Sequence, residues 1–315
     1  MEKNNLIKIK NGERYFFRFT LNQRMQHIIL FSTVITLVLT GMPLKFQHAV
    51  WAPYVYSIFG GIHVAPIIHR VAGTILLILF AYHIGYLVYT LYKGHIQPLQ
   101  KNKQLNVVSL VNVFMQLPLI PNMKDLKDII NLLKYLLYLT DKRPEGAEFT
   151  WKEKFDYWAP FWGIVIIGVS GLIMWHKELA TKIIPGEIIN YALAAHSDEA
   201  LLAALFLFIW HFYNVHFSTS VFPMGTVFLT GYLPEKLMVE EHYEYYVEVM
   251  KKAGLEHDIR PVPGRKRGGF DENYEYYVEV LKKAGLDHEI PPPPGIIPEF
   301  EEKRQAEYSE GGQVS

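Results

Sequence analysis

Four histidines sit in two long apolar stretches at nearly equal intervals: His69 and His83 are fourteen positions apart, His196 and His211 fifteen. At about 100° and 1.5 Å per residue, fourteen steps return to within about 40° of one helix face and climb ~21 Å. Fifteen steps fall about 60° out of phase and climb ~22 Å. Each helix then carries one histidine near either side of a membrane, both turned roughly the same way. Two such helices, matched in depth, are what two stacked haems with histidine on both faces of each iron require. Gly73 lies one turn after His69, and Ala200 and Ala203 follow His196, small residues where a flat macrocycle needs room. A fifth histidine, His27, lies at the same depth as His83 and His211; periodicity leaves open whether His27 or His83 faces His211. His216 is five positions after His211, so on an α-helix it points ~140° away. It is a candidate hydrogen-bond partner for a quinone head. His48, His63, His95, His176, His242, His257 and His288 fall in loops, at a span end or in the tail, without ligand spacing.

The chemistry open to this chain is bounded by its composition. Among 315 residues there is no cysteine, which removes thiolate-held iron–sulfur clusters, disulfides and covalently attached haem. Formal net charge is zero, so no basic footprint points to nucleic acid. Half the residues are apolar, and they are concentrated in four blocks.

Those blocks read as an all-α, four-helix membrane bundle. A polar lead occupies residues 1–24, the bundle residues 25–220, and a polar arm residues 221–315. The expected spans are 25–44, 67–92, 157–176 and 195–217, each long enough to cross a bilayer. Pro66 is placed to open the second span, and Trp158, Trp162 and Trp175 bracket the third like an interfacial belt. Between spans two and three, residues 121–139 carry Leu126, Ile129, Ile130, Leu133, Leu136 and Leu137 at helical spacing, an amphipathic helix. The lead and the long loop hold six and ten Lys/Arg, against one and two in the loops on the other side. By the positive-inside rule both termini are cytoplasmic; His69 and His196 are then on the outer level, and His27, His83 and His211 on the inner. The arm contains a tandem repeat, residues 243–259 (YEYYVEVMKKAGLEHDI) recurring as 274–290 (YEYYVEVLKKAGLDHEI), each copy read as a short helix stopped by glycine.

The second span, with His69, Gly73 and His83, resembles the second helix of cytochrome b from quinol-oxidising bc-type complexes, and the fourth, ending in His211 and His216, is similar too. That resemblance implies the haem pairs His69–His196 and His83–His211. Over residues 14–245 the chain more closely resembles the membrane cytochrome b (gamma) subunits of respiratory formate dehydrogenases and related hydrogenases. The matching stretches are Gln23-Arg24-Met25-Gln26-His27 with Thr40-Gly41, Ile68-His69-Arg70, residues 154–158, and Phe222-Pro223-Met224-Gly225 with Thr230-Gly231. This second resemblance implies an inner haem between His27 and His211, leaving His83 additional.

Together these readings give an expectation: an integral subunit of the cytoplasmic membrane holding two haems b, or three if both His27 and His83 are ligands. It carries electrons across the bilayer between a partner redox subunit (iron–sulfur, molybdenum, hydrogenase or multihaem) and menaquinone or ubiquinone. It acts within an oxidoreductase complex rather than as a catalyst alone. Asp156, Tyr157, Asn214 and His216 would gather at the inner end for the quinone. The rival readings are a self-contained transmembrane haem reductase and a non-redox, histidine-bearing transporter. Against the latter, the sequence lacks the inverted repeats and broken helices typical of transporters.

Overall fold

A computed structural model describes residues 6–142, 144–218 and 220–261, together with positions 278, 282, 283 and 285. The second repeat copy, 274–290, lies almost entirely outside the described residues. The described residues are mostly helical and divide into two compact units, one built from 7–121 with 152–234, the other from residue 6, 122–151 and the segment from 235 onward.

In the first unit, four helical stretches are long and apolar enough to cross a membrane: Leu21–Lys45, Ala65–Lys101, Trp151–Trp175 and Ile188–Phe217. Only 11–17 % of their most apolar windows is buried within the protein. Side chains such as Val71, Ile78, Leu202 and Ile209 stay more than half exposed. An outward apolar belt of that extent needs an apolar solvent, and the chain is read as a multi-pass membrane protein. Hydroxyls inside the spans are satisfied locally: Thr36, Thr74 and Thr90 donate to carbonyls one turn back, as helices in lipid require.

The ends of these helices follow from local chemistry. Helix α1 (Leu21–Lys45) starts at a capping box, Thr20 accepting from the Gln23 backbone while the Gln23 side chain returns to Thr20. A short helix α2 (Ala52–Ile58) precedes α3 (Ala65–Leu91), whose first turn holds Pro66, as expected. A π-helical turn, Tyr92–Ile96, carries α3 into α4 (Gln97–Lys101), and α5 (Val107–Met115) follows. The third span is α7 (Trp151–Trp175), trailed by the single turn α8 (Lys177–Ala180). The fourth begins as α9 (Ile188–Leu205), earlier than hydropathy indicated, and ends in two π-helical turns, Phe206–His211 and Tyr213–Phe217.

The lead before α1 folds as a hairpin. Strands β1 (Ile7–Lys10) and β2 (Glu13–Phe17) pair antiparallel across Asn11-Gly12, both with positive φ, the turn that Asn-Gly favours. Beyond the fourth span, α10 (Val227–Thr230) ends at Gly231, and β3 (Tyr232–Pro234) pairs with β2. Arg18 and Phe19 both donate to the Gly231 carbonyl. A strand before the first span paired with a strand after the fourth puts both on one side, as an even number of crossings demands.

The second unit contains α6 (Met123–Leu136), α11 (Glu235–Glu241) and α12 (Tyr243–Ala253). Helix α6 is the expected amphipathic segment, capped by Asn122 and Asp125. The first repeat copy is α12, stopped at Gly254 with φ 76°. Its Tyr246, Val249 and Met250 are buried, and Lys124 pairs with Glu244.

Candidate functional site

His69 on α3 and His196 on α9 face each other with ring centres 6.2 Å apart. Each ring is held by Nδ1. The Thr40 hydroxyl donates to the Thr36 carbonyl at 2.7 Å, so it accepts from His69 Nδ1–H at 3.0 Å. His196 Nδ1 lies 2.9 Å from the Ile167 carbonyl, which can only accept, with the Ser170 hydroxyl at 3.4 Å. Both rings are thereby fixed as the tautomer whose lone pair is on Nε2, the arrangement that orients metal-bound histidines. Two glycines permit it. A Cβ on Gly41 would stand 3.0 Å from His69 Cε1, and one on Gly171 3.1 Å from His196 Cε1. Beside His69, a Cβ on Gly73 would meet nothing nearer than Leu37 at 4.0 Å.

At the other level, His27 on α1 and His211 have ring centres 6.4 Å apart. His211 Nδ1 lies 3.2 Å from Asp156 Oδ2, while His27 Nδ1 is buried without a hydrogen-bond partner. His83 is engaged elsewhere. Gln26 donates its amide hydrogen to Asn22 Oδ1, so its Oε1 accepts from His83 Nδ1–H at 2.8 Å. His83 Nε2 then accepts from the Tyr157 hydroxyl at 3.0 Å. The chain continues from Asn22 to the Tyr82 hydroxyl at 2.6 Å. Both nitrogens of His83 are committed to this polar chain, which ties α1, α3 and α7 together. Of the two inner candidates, it is His27 whose ring stands opposite His211.

The π turns alter two expectations drawn from α-helical phase. A π turn takes up an extra residue without advancing the face, so the fifteen-residue interval from His196 to His211 winds much as fourteen would. Residues five apart are bonded neighbours in a π turn, and His216 therefore does not point away. Its ring is 5.8 Å from Phe228, which is itself 5.8 Å from His27. His216 Nδ1 is buried without a partner. Asn214 donates to the carbonyl of Trp210 at 2.8 Å, within its own helix. Among the described residues, no group of three or more His, Cys, Asp or Glu is placed to hold a bare metal ion.

The pairs can be tested against the expected group. A metal–imidazole bond is about 2 Å, as it is for zinc, and two such bonds plus the ring on either side separate ring centres by about 6.3 Å. Both observed separations meet that value, and neither pair has a direct hydrogen bond between its rings that would need the space. The donor set, four imidazoles of which His69, His196 and His211 have Nδ1 held by an oxygen, suits haem iron. Sequence reasoning missed the anchors, although Thr40-Gly41 and Ser170-Gly171 are the same hydroxyl–glycine pair on spans one and three. It also placed Asp156 with a quinone rather than behind His211.

No protein-family model matches this chain, and no curated protein matches it either.

Proposed function

We propose that the chain is a membrane b-type cytochrome of the formate dehydrogenase and hydrogenase gamma-subunit kind. It passes electrons across the bilayer between a partner redox subunit and the quinone pool. The observation that carries this is the two opposed histidine pairs, His69–His196 and His27–His211, at two depths of one four-helix bundle. His69 and His196 would hold one haem and His27 and His211 the other. When bound, haem b supplies a one-electron iron couple at each level.

The chain's own contribution is positional. Thr40 and the Ile167 carbonyl hold the outer imidazoles in one tautomer, and Asp156 does the same for His211. Such partners raise ligand basicity and so tune potential. His216, with its buried Nδ1, is the candidate contact for a quinone oxygen. The lysine and arginine bias of the lead and long loop supports cytoplasmic termini.

The test is haem stoichiometry by pyridine haemochrome on purified protein. Wild type should bind two haems. His27→Ala, His69→Ala and His196→Ala should each bind one, and His83→Ala should still bind two. A colourless wild type would return the chain to the transporter reading; loss of the inner haem in His83→Ala alone would restore the bc-type pairing.

A further inference from the structure

Between the two histidine levels the fourth span carries a second carboxyl next to Asp198, that of Glu199. Glu199 is three residues beyond His196 on α9, and a Cβ built on Gly163 would lie 3.2 Å from its Oε1. Gly163 is at the middle of α7, buried, seven residues from Asp156 at the inner pair and eight from Gly171 at the outer pair. At 1.5 Å per residue the point the Glu199 carboxyl reaches on α7 is roughly 10 Å from Asp156 and roughly 12 Å from Gly171, while along α9 Glu199 is one turn, about 4.5 Å, from His196. Its neighbour Asp198 turns the other way, to Lys45 at 2.6 Å. The remaining titratable or charged groups within the packed spans lie toward the ends or at the pairs. They are Arg24, His27 and Lys45 on α1, His69, Arg70, Tyr82, His83, Tyr86 and Tyr89 on α3, Lys152, Glu153, Lys154, Asp156 and Tyr157 on α7, and Tyr191, His196, Asp198, His211, Tyr213 and His216 on the fourth span. Glu199 alone reaches the mid-depth of α7. An ionisable side chain inside a membrane is costly and is a functional candidate for that reason. Glycine opposite it gives the carboxyl room that alanine would take.

We propose that Glu199 is a proton-carrying carboxyl that compensates charge between the two levels. With haem bound at the pairs, one electron added at either level would draw one proton onto the Glu199 carboxylate, and removal of that electron would release the proton. The electron comes from the quinol or partner subunit of the proposed function, on which this inference rests. A negative carboxylate within roughly 10 Å of an added electron is unfavourable in a low-dielectric interior, and protonation removes that repulsion.

The experiment is an equilibrium redox titration of the haem-loaded full chain across neutral pH, with redox-difference infrared spectra on the same sample. In wild type, a midpoint potential should fall with rising pH by up to about 59 mV for each tenfold change in proton activity. The carbonyl stretch of a protonated carboxylic acid should appear on reduction. Glu199→Gln should flatten the slope and abolish the band while keeping both haems. Glu199→Asp should keep a slope with a shifted band. A wild type whose potentials do not change with pH overturns the inference without any variant, as does a Gln variant with the wild-type slope and band. Haem-free wild-type protein would instead overturn the reading beneath it.

Discussion

Thr40 accepts the Nδ1 proton of His69 at 3.0 Å while passing its own to the Thr36 carbonyl one turn back. A hydroxyl used in both directions fixes ring and tautomer together. Thr40→Val keeps the shape and removes the hydroxyl acceptor, leaving the His69 ring only its backbone contact with Leu37. Loss of such a partner typically lowers metal affinity 10–100-fold. The expected outcome is an outer haem that dissociates earlier on dilution and has a shifted potential, while the inner haem is unchanged. Equal retention of both haems would show that Thr40 does not position His69.

Gly171 and Gly41 make room for the imidazoles opposite them. A methyl at either position comes within about 3 Å of a ring carbon, closer than a packed core accepts without side-chain or backbone movement, typically costing ~1–3 kcal/mol. Gly171→Ala should displace His196 and weaken or lose the outer haem; Gly41→Ala should do the same through His69. Gly73→Ala, whose nearest neighbour would be 4.0 Å away, is the control that should leave the empty protein's thermal stability unaffected. The check is haem content together with melting temperature for the three variants.

His83 is expected to act through its hydrogen bonds. His83→Phe strands Gln26 Oε1 and the Tyr157 hydroxyl, each costing about 1–3 kcal/mol if left unpaired. The haem count should stay at two while thermal stability falls. Combining it with Gln26→Leu should cost less than the sum of the single changes, since both cut one chain, with a coupling of ~0.5–3 kcal/mol. Additive losses would mean the chain is not formed.

The spans and the outer pairing were legible because hydropathy and a fourteen-residue interval need only α-helical geometry. The inner pair was not. His27 and His83 share a depth, and the phase of a helix about its own axis does not say which neighbour it faces. What separates them is the polar company of His83, Gln26 and Tyr157, which come from two other helices. The π turns at Phe206–His211 and Tyr213–Phe217 have no composition signal, so the α-helical phase that turned His216 away from His211 does not apply there. The hairpin at Ile7–Phe17 does have a signal, since alternating Ile-Lys-Ile-Lys before Asn-Gly is a strand and a turn.

In the second unit, Tyr246 is fully buried and donates to Glu235 Oε1 at 3.0 Å, while Arg260 holds Oε2 at 2.9 Å. Burial, and after it the nearby Glu235 carboxylate, pushes the Tyr246 phenol above its ordinary value of 10. A phenol whose proton is held more tightly in the folded state stabilises the fold fully below about pH 10. That contribution is lost as pH rises through the folded value. Tyr246→Phe removes a hydrogen bond to a charged group, worth about 1.5–3 kcal/mol, yet leaves Glu235 paired with Arg260. The variant should therefore be less stable than wild type at neutral pH, and the gap should narrow in alkali, where the wild-type phenol must ionise or unfold. Limited proteolysis of the full chain across α11 and α12, followed from neutral to strongly alkaline pH, measures this. A gap that is constant with pH would mean that the buried phenol is not linked to the stability of this unit.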